Sequence, residues 1–121
     1  RRLNRKAKIA VLRGGKEDWI RACKACDLVV QATPVGMKKS DRSLLPSSAF
    51  HRGQMAYDLV YMYPKTDFMR EAGKGGARTS NGLGMLLHQG AWAFTIWTGK
   101  NAAVQVMRKQ LEKAVYGRAG K

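Results

Sequence analysis

The sequence predicts an α/β fold in which a doubly wound parallel sheet is followed by C-terminal helices. Three observations predict it. Short apolar runs with paired valines or aromatics alternate with stretches of helical periodicity. Strands that alternate with helices are joined by crossovers, which makes their sheet parallel. Finally, the segments just after the strands carry glycine, proline and polar residues, and sheets of this kind bind ligands beyond the carboxyl ends of their strands.

Taken in order, residues 9–12 are expected to end a short helix closed by Gly14 and Gly15. Residues 17–24 form a second short helix. Residues 27–32 (Asp-Leu-Val-Val-Gln-Ala) read as a buried strand, ended by Thr33-Pro34-Val35-Gly36 because Pro34 cannot donate to a ladder. Residues 44–50 read as a loop and a helical turn. Residues 54–60 are the next strand, broken by Pro64. Thr66 is placed to cap a helix over 67–72, and Gly73, Gly75 and Gly76 stop it. Residues 77–80 make a short strand. Asn81 is expected to cap a long buried helix running to about Trp97, with Leu83, Leu87, Phe94 and Trp97 in the core. Gly99-Lys100-Asn101 breaks it. A last amphipathic helix spans about 102–115, with Val104, Met107, Leu111 and Val115 at helical spacing.

The 121 residues suffice for one domain with a modest core. The formal net charge of +15 favours anionic partners: nucleic acid, an acidic membrane surface or a phosphorylated small molecule. A solvated basic surface accounts for the same charge. Aromatics are not interleaved with the basic clusters, which argues against a nucleic-acid-binding module. The most apolar run, 82–97, falls short of the about 20 residues of a membrane span. Cys23 and Cys26 form a C-x-x-C without a second pair, and His51 and His88 follow no metal-ligand spacing, so no metal is expected. The two thiols read as incidental in a reduced, cytoplasmic compartment. The chain lacks an initiator Met and opens at what could be a strand-to-loop junction, as a fragment would.

Four segments carry chemistry. In Asn81-Gly82-Leu83-Gly84-Met85-Leu86-Leu87-His88-Gln89-Gly90-Ala91, two glycines flank a helix start whose free N–H groups can meet a ligand. Gln89 lies about two turns in, where a lone amide on an apolar helix needs a hydrogen-bond partner; by spacing alone that partner could be backbone. The others are Gln31-Ala32-Thr33-Pro34-Val35-Gly36-Met37, Tyr57-Asp58-Leu59-Val60-Tyr61 with Pro64 and Thr66, and Asn4-Arg5-Lys6 with Ala10.

Together, in this order, these segments resemble the shikimate dehydrogenases of the shikimate/quinate dehydrogenase family. The resemblance implies a partial Rossmann-like sheet and NADP as cofactor. Asn4, Arg5 and Lys6 correspond to an N-R-T segment that holds the adenosine 2′-phosphate, a role that suits a two-pronged guanidinium. Thr33 lies in the N-A-T-P-V-G-M turn bordering the cofactor, with Gln31 replacing Asn. Leu59, Gly82 and Met85 match cofactor-contacting positions, Leu59 through its backbone. Tyr61 matches a tyrosine that reaches the substrate carboxylate, and Gln89 a glutamine that bonds the hydroxyls of shikimate. The implied reaction is the reversible reduction of 3-dehydroshikimate to shikimate, in aromatic amino-acid biosynthesis, by a monomer or homodimer; a quinate preference is the alternative.

On this reading, residues 1–80 are part of the NADP-binding domain. Residues 81–121 are C-terminal helices that complete it and face a substrate domain. The glycine-rich dinucleotide loop, the substrate domain and the family's Lys–Asp proton-transfer pair are not in this sequence, so no catalytic residue is assigned and the chain alone is expected to have no turnover.

Overall fold

A computed structural model describes residues 8–117. Helix α1 (Lys16–Lys24) leads into strand β1 (Leu28–Gln31). A long connection with a 3-10 turn (Ser47–Ala49) reaches β2 (Met55–Asp58). Helix α2 (Asp67–Lys74) crosses to β3 (Arg78–Asn81), and α3 (Leu83–Thr98) and α4 (Val104–Tyr116) follow. The strands form one parallel sheet in the order β1-β2-β3, with Gln31 opposite Asp58 and Asp58 opposite Asn81. That register aligns the carboxyl ends of all three strands, so the turns that follow them gather at one edge. The expected α/β class and parallel sheet are therefore borne out.

The core lies on one face of the sheet. Ala56 of β2 faces Phe68, Met69 and Ala72 of α2, with Ala49 and Phe50 from the 3-10 turn beside them. Phe50 and Phe68 meet edge to face, centroids 5.5 Å apart, a geometry that adds about 1 kcal/mol to the burial of the rings. Ile20, Cys23, Val29 and Leu45 close the periphery. Thr66 caps α2 as expected, its hydroxyl accepting from the Met69 N–H at 3.3 Å. Gln54, fully buried, donates to the carbonyls of Cys23 and Cys26 and pins the end of α1 to the start of β2.

Four expectations need correction. Residues 8–13 form no helix: Ile9, Val11 and Leu12 are exposed, and a short helix without a packing surface is marginal in water. β1 is not buried on both faces. Val29 packs on the core while Leu28 and Val30, which point the other way, are about half exposed. Asn81 ends β3, and Gly82 takes the N-cap position of α3. Finally, α3 is not a buried helix. Leu83, Leu87 and Ala91 are buried, but Phe94 is exposed and Trp97 is 83% exposed. α3 packs on α4, whose Val104, Met107, Leu111 and Val115 form the expected half-buried stripe. Gly99 ends α3 at φ +67°, a left-handed conformation that glycine adopts without a Cβ penalty.

Candidate functional site

The edge at the carboxyl ends of β1 and β2 is built from a buried hydrogen-bond network. The Gln31 side-chain carbonyl accepts from the N–H of Thr33 (2.5 Å) and from its hydroxyl (2.6 Å). Its amide donates to the Val35 carbonyl at 2.7 Å and to Asp58 at 3.3 Å. Gln31 thus holds the turn after β1 in shape and ties it to β2. Asp58 has no exposed surface, and its carboxylate also accepts from the Val60 N–H (3.0 Å) and the Thr66 hydroxyl (2.5 Å). A buried carboxylate is tolerated only when so surrounded by donors. One residue therefore fixes the ends of both strands and the start of α2.

On this frame Thr33, Leu59 and Tyr61 come together. They line one cavity of about 250 Å³ with Pro34, Met37 and Met62. The Leu59 N–H is taken up by the Gln31 carbonyl at 2.9 Å, which leaves its own carbonyl for any further backbone contact. That carbonyl lies against Gly82: a Cβ added there would meet it at 2.2 Å. Gly82 is glycine because the Leu59 backbone, just after β2, touches the N-cap of α3. Gly84, by contrast, faces open space.

Met85 and Gln89 lie apart from that cavity. They line a shallow groove along α3 with His88, Trp92, Ala93 and Ile96. Gln89 is exposed, and none of the hydrogen bonds among the described residues uses its amide. It is free to bind a ligand hydroxyl, and the backbone-bonded alternative is not what the chain adopts. Asn81 joins the two halves of the site. Its side-chain oxygen accepts from the Leu83 N–H (3.2 Å), and its amide donates to the Tyr63 carbonyl (3.2 Å) and the Tyr116 hydroxyl (2.8 Å). Asn4, Arg5 and Lys6 lie outside the described residues.

The supporting residues were less legible in sequence than the contacting ones. Asp58 gives no local signal of its burial, because its partners Gln31 and Thr66 lie 27 and 8 positions away. Tyr116 carried no signal, since its partner is 35 positions away. The ionisable groups nearby act structurally. Asp41 has its pKa lowered by the N–H groups of Lys38 and Gly36, and Asp67 by the Ser43 N–H and Arg70. Burial, and then the neighbouring Cys26, raise the Cys23 thiol, which keeps it protonated and unreactive. Among the described residues no cluster of ligands could hold a metal, and no helix is long and apolar enough to cross a membrane.

Known proteins are similar to this chain in sequence and in fold. Residues 82–112 match the family described as Shikimate 5'-dehydrogenase C-terminal domain. The chain is 44% identical over 91 residues to a shikimate dehydrogenase (NADP(+)) of Methanopyrus kandleri, covering 74% of this chain and 31% of that protein. It is 44% identical over 97 residues to the same enzyme of Moorella thermoacetica, covering 79% and 33%. In three dimensions it resembles the shikimate 5-dehydrogenase of Thermus thermophilus in complex with NADP(H) and shikimate. The TM-score is 0.71 at 37% identity, over 78% of this chain and 36% of that one. The enzyme of Listeria monocytogenes with shikimate and NAD gives a TM-score of 0.73 at 36% identity, over 79% and 34%. The chain spans about a third of the length of the curated relatives it matches. The chain thus corresponds to the C-terminal part of longer shikimate dehydrogenases, and its residues 82–112 match their C-terminal domain.

Proposed function

We propose that this chain is the cofactor-side part of an NADP-dependent shikimate dehydrogenase, which interconverts 3-dehydroshikimate and shikimate. The observation that carries the reading is the convergence of Thr33, Leu59 and Tyr61 on one cavity, with Gly82 seated on the Leu59 carbonyl. NADPH, when bound, supplies the hydride that reduces the substrate ketone. The residues of this chain bind and orient. Thr33 and the backbone of Leu59 and Gly82 border the nicotinamide end, and Met85 approaches the cofactor from the α3 groove that it lines with Gln89. Asn4, Arg5 and Lys6 hold the 2′-phosphate. Gln89, with two donors and an acceptor at its tip, pairs with substrate hydroxyls. Tyr61 donates to the substrate carboxylate. None of these groups is suited to move a proton between pH 5 and 8, so the proton comes from a substrate domain.

That domain also explains the outer face of α3. Trp92, Ile96 and Trp97 are large, apolar and exposed, and contiguous apolar surface of this kind marks an interface. Residues 81–121 thus complete the cofactor unit formed by 1–80 and present this face, with Gln89, to the substrate domain.

A chimera tests the reading. The N-terminal part of the Moorella thermoacetica enzyme is joined to this chain, and NADP-linked oxidation of shikimate and of quinate is followed. Turnover is expected with shikimate, whereas the isolated chain gives none. Gln89→Ala in the chimera is expected to raise KM about tenfold or more, because the substrate hydroxyls lose their partner. A folded chimera that binds NADP yet turns over neither substrate would sink the proposal.

A further inference from the structure

A second depression shares no lining residue with the proposed cofactor cavity, and the proposed function makes no use of it. It measures about 400 Å³ and is lined by Lys38, Lys39, Lys65 and Arg70 with Asp41 and Asp67. Its two carboxylates are already engaged. Asp41 accepts from the Gly36 and Lys38 N–H groups at 2.9 and 3.1 Å. Asp67 accepts from the Ser43 N–H at 2.9 Å and pairs with Arg70. Arg70 in turn donates to the Lys65 carbonyl at 3.0 Å, which fixes that backbone at the rim. The ammonium groups of Lys38, Lys39 and Lys65 form none of the ion pairs among the described residues. Four cations against two carboxylates leave a surplus of two positive charges in one concave site. A phosphate monoester carries about two negative charges at neutral pH, and a cavity of this size accommodates a small ligand.

We propose that this depression binds the dianionic phosphate group of a small molecule, at a site separate from the cofactor cavity. Lys38 and Lys65 supply the charge from opposite turns, while Asp41 and Arg70 hold those turns in place. Both turns continue into the cofactor cavity, through Pro34 and Met37 on one side and Tyr61 and Met62 on the other. Occupancy here therefore bears on the shape of that cavity.

The probe is inorganic phosphate, titrated into the full chain at constant ionic strength while backbone amide resonances are followed. Saturable shifts are expected at Gly36, Lys38, Lys65 and Thr66. They should weaken as pH falls below about 6, where phosphate loses its second charge, while sulfate should show no such loss. The double variant Lys38→Gln with Lys65→Gln should weaken binding about fivefold to tenfold, and Lys109→Gln on α4 should leave it unchanged. Linear shifts spread over the whole basic surface, or equal weakening by Lys109→Gln, would overturn the proposal. So would tighter binding of a single-stranded oligonucleotide at the same residues, which would assign the site to nucleic acid. The amide dispersion of each variant shows that it is folded, so that lost binding reports on the site.

Discussion

At the carboxyl ends of β1 and β2, buried polar groups answer one another: Gln31, Asp58 and Thr66 satisfy the turns around them and are themselves covered. Along the outer turns of α3 the situation is reversed, since Trp92, Ile96 and Trp97 are apolar and face solvent. The first region is covered by this chain and the second is exposed. The difference separates two kinds of site residue. Thr33, Leu59 and Gly82 are held in position by buried contacts, whereas Met85 and Gln89 line a groove beside exposed apolar side chains.

The sharpest way to break that contrast is to remove the hub of the covered region. Asp58→Ala strands the Val60 N–H, the Thr66 hydroxyl and the Gln31 amide in a buried site. Each unsatisfied donor costs about 1–3 kcal/mol, so a loss of at least about 3 kcal/mol is expected in urea denaturation. A loss below about 1 kcal/mol would mean that the network does not hold the edge together. Gly82→Ala comes next. Its methyl must displace the Leu59 carbonyl, an overpacking that costs about 1–3 kcal/mol. Gly84→Ala, two residues on and facing open space, should instead stabilise α3 by up to about 1 kcal/mol. Similar effects from both would refute the close approach of β2 to α3. Trp92→Ser and Trp97→Ser in the exposed region should change the stability of this chain by less than about 0.5 kcal/mol, yet raise its solubility. A loss of 2 kcal/mol or more would show that the chain covers this face itself.

The same contrast explains what the sequence made legible. Segments whose local chemistry agrees with their place were readable: the cap at Thr66, the break at Pro34, the stop at Gly99, the stripe on α4. Three candidate site residues, Thr33, Leu59 and Tyr61, lie in motifs at one sheet edge, so their convergence follows from a parallel topology. Phe94 and Trp97 are exposed although they lie in an apolar run, because an apolar helix has the same sequence pattern whether or not its own chain covers it. Residues 9–12 failed for the same reason, since helical periodicity means little where nothing packs against it. Asp58 and Tyr116 were missed because their roles depend on partners distant in sequence, which no local pattern encodes.

A smaller effect separates the carboxylates by pH. The Ser43 N–H, and after it Arg70, hold the pKa of Asp67 below the ordinary aspartate value. The folded chain therefore prefers the ionised form more strongly than the unfolded chain does. That preference contributes stability above the unfolded pKa of about 3.9, and the contribution is lost as pH falls through the lower folded value. Asp67→Asn removes the linkage, because a neutral carboxamide can still accept from Ser43 but has no proton to gain. The stability gap between parent and variant should therefore be constant at neutral pH and shrink below about pH 4. Urea midpoints measured across that range check it. A gap that persists into acid would mean that the Asp67 carboxylate holds the 38–43 turn by shape, with its charge contributing nothing to the fold.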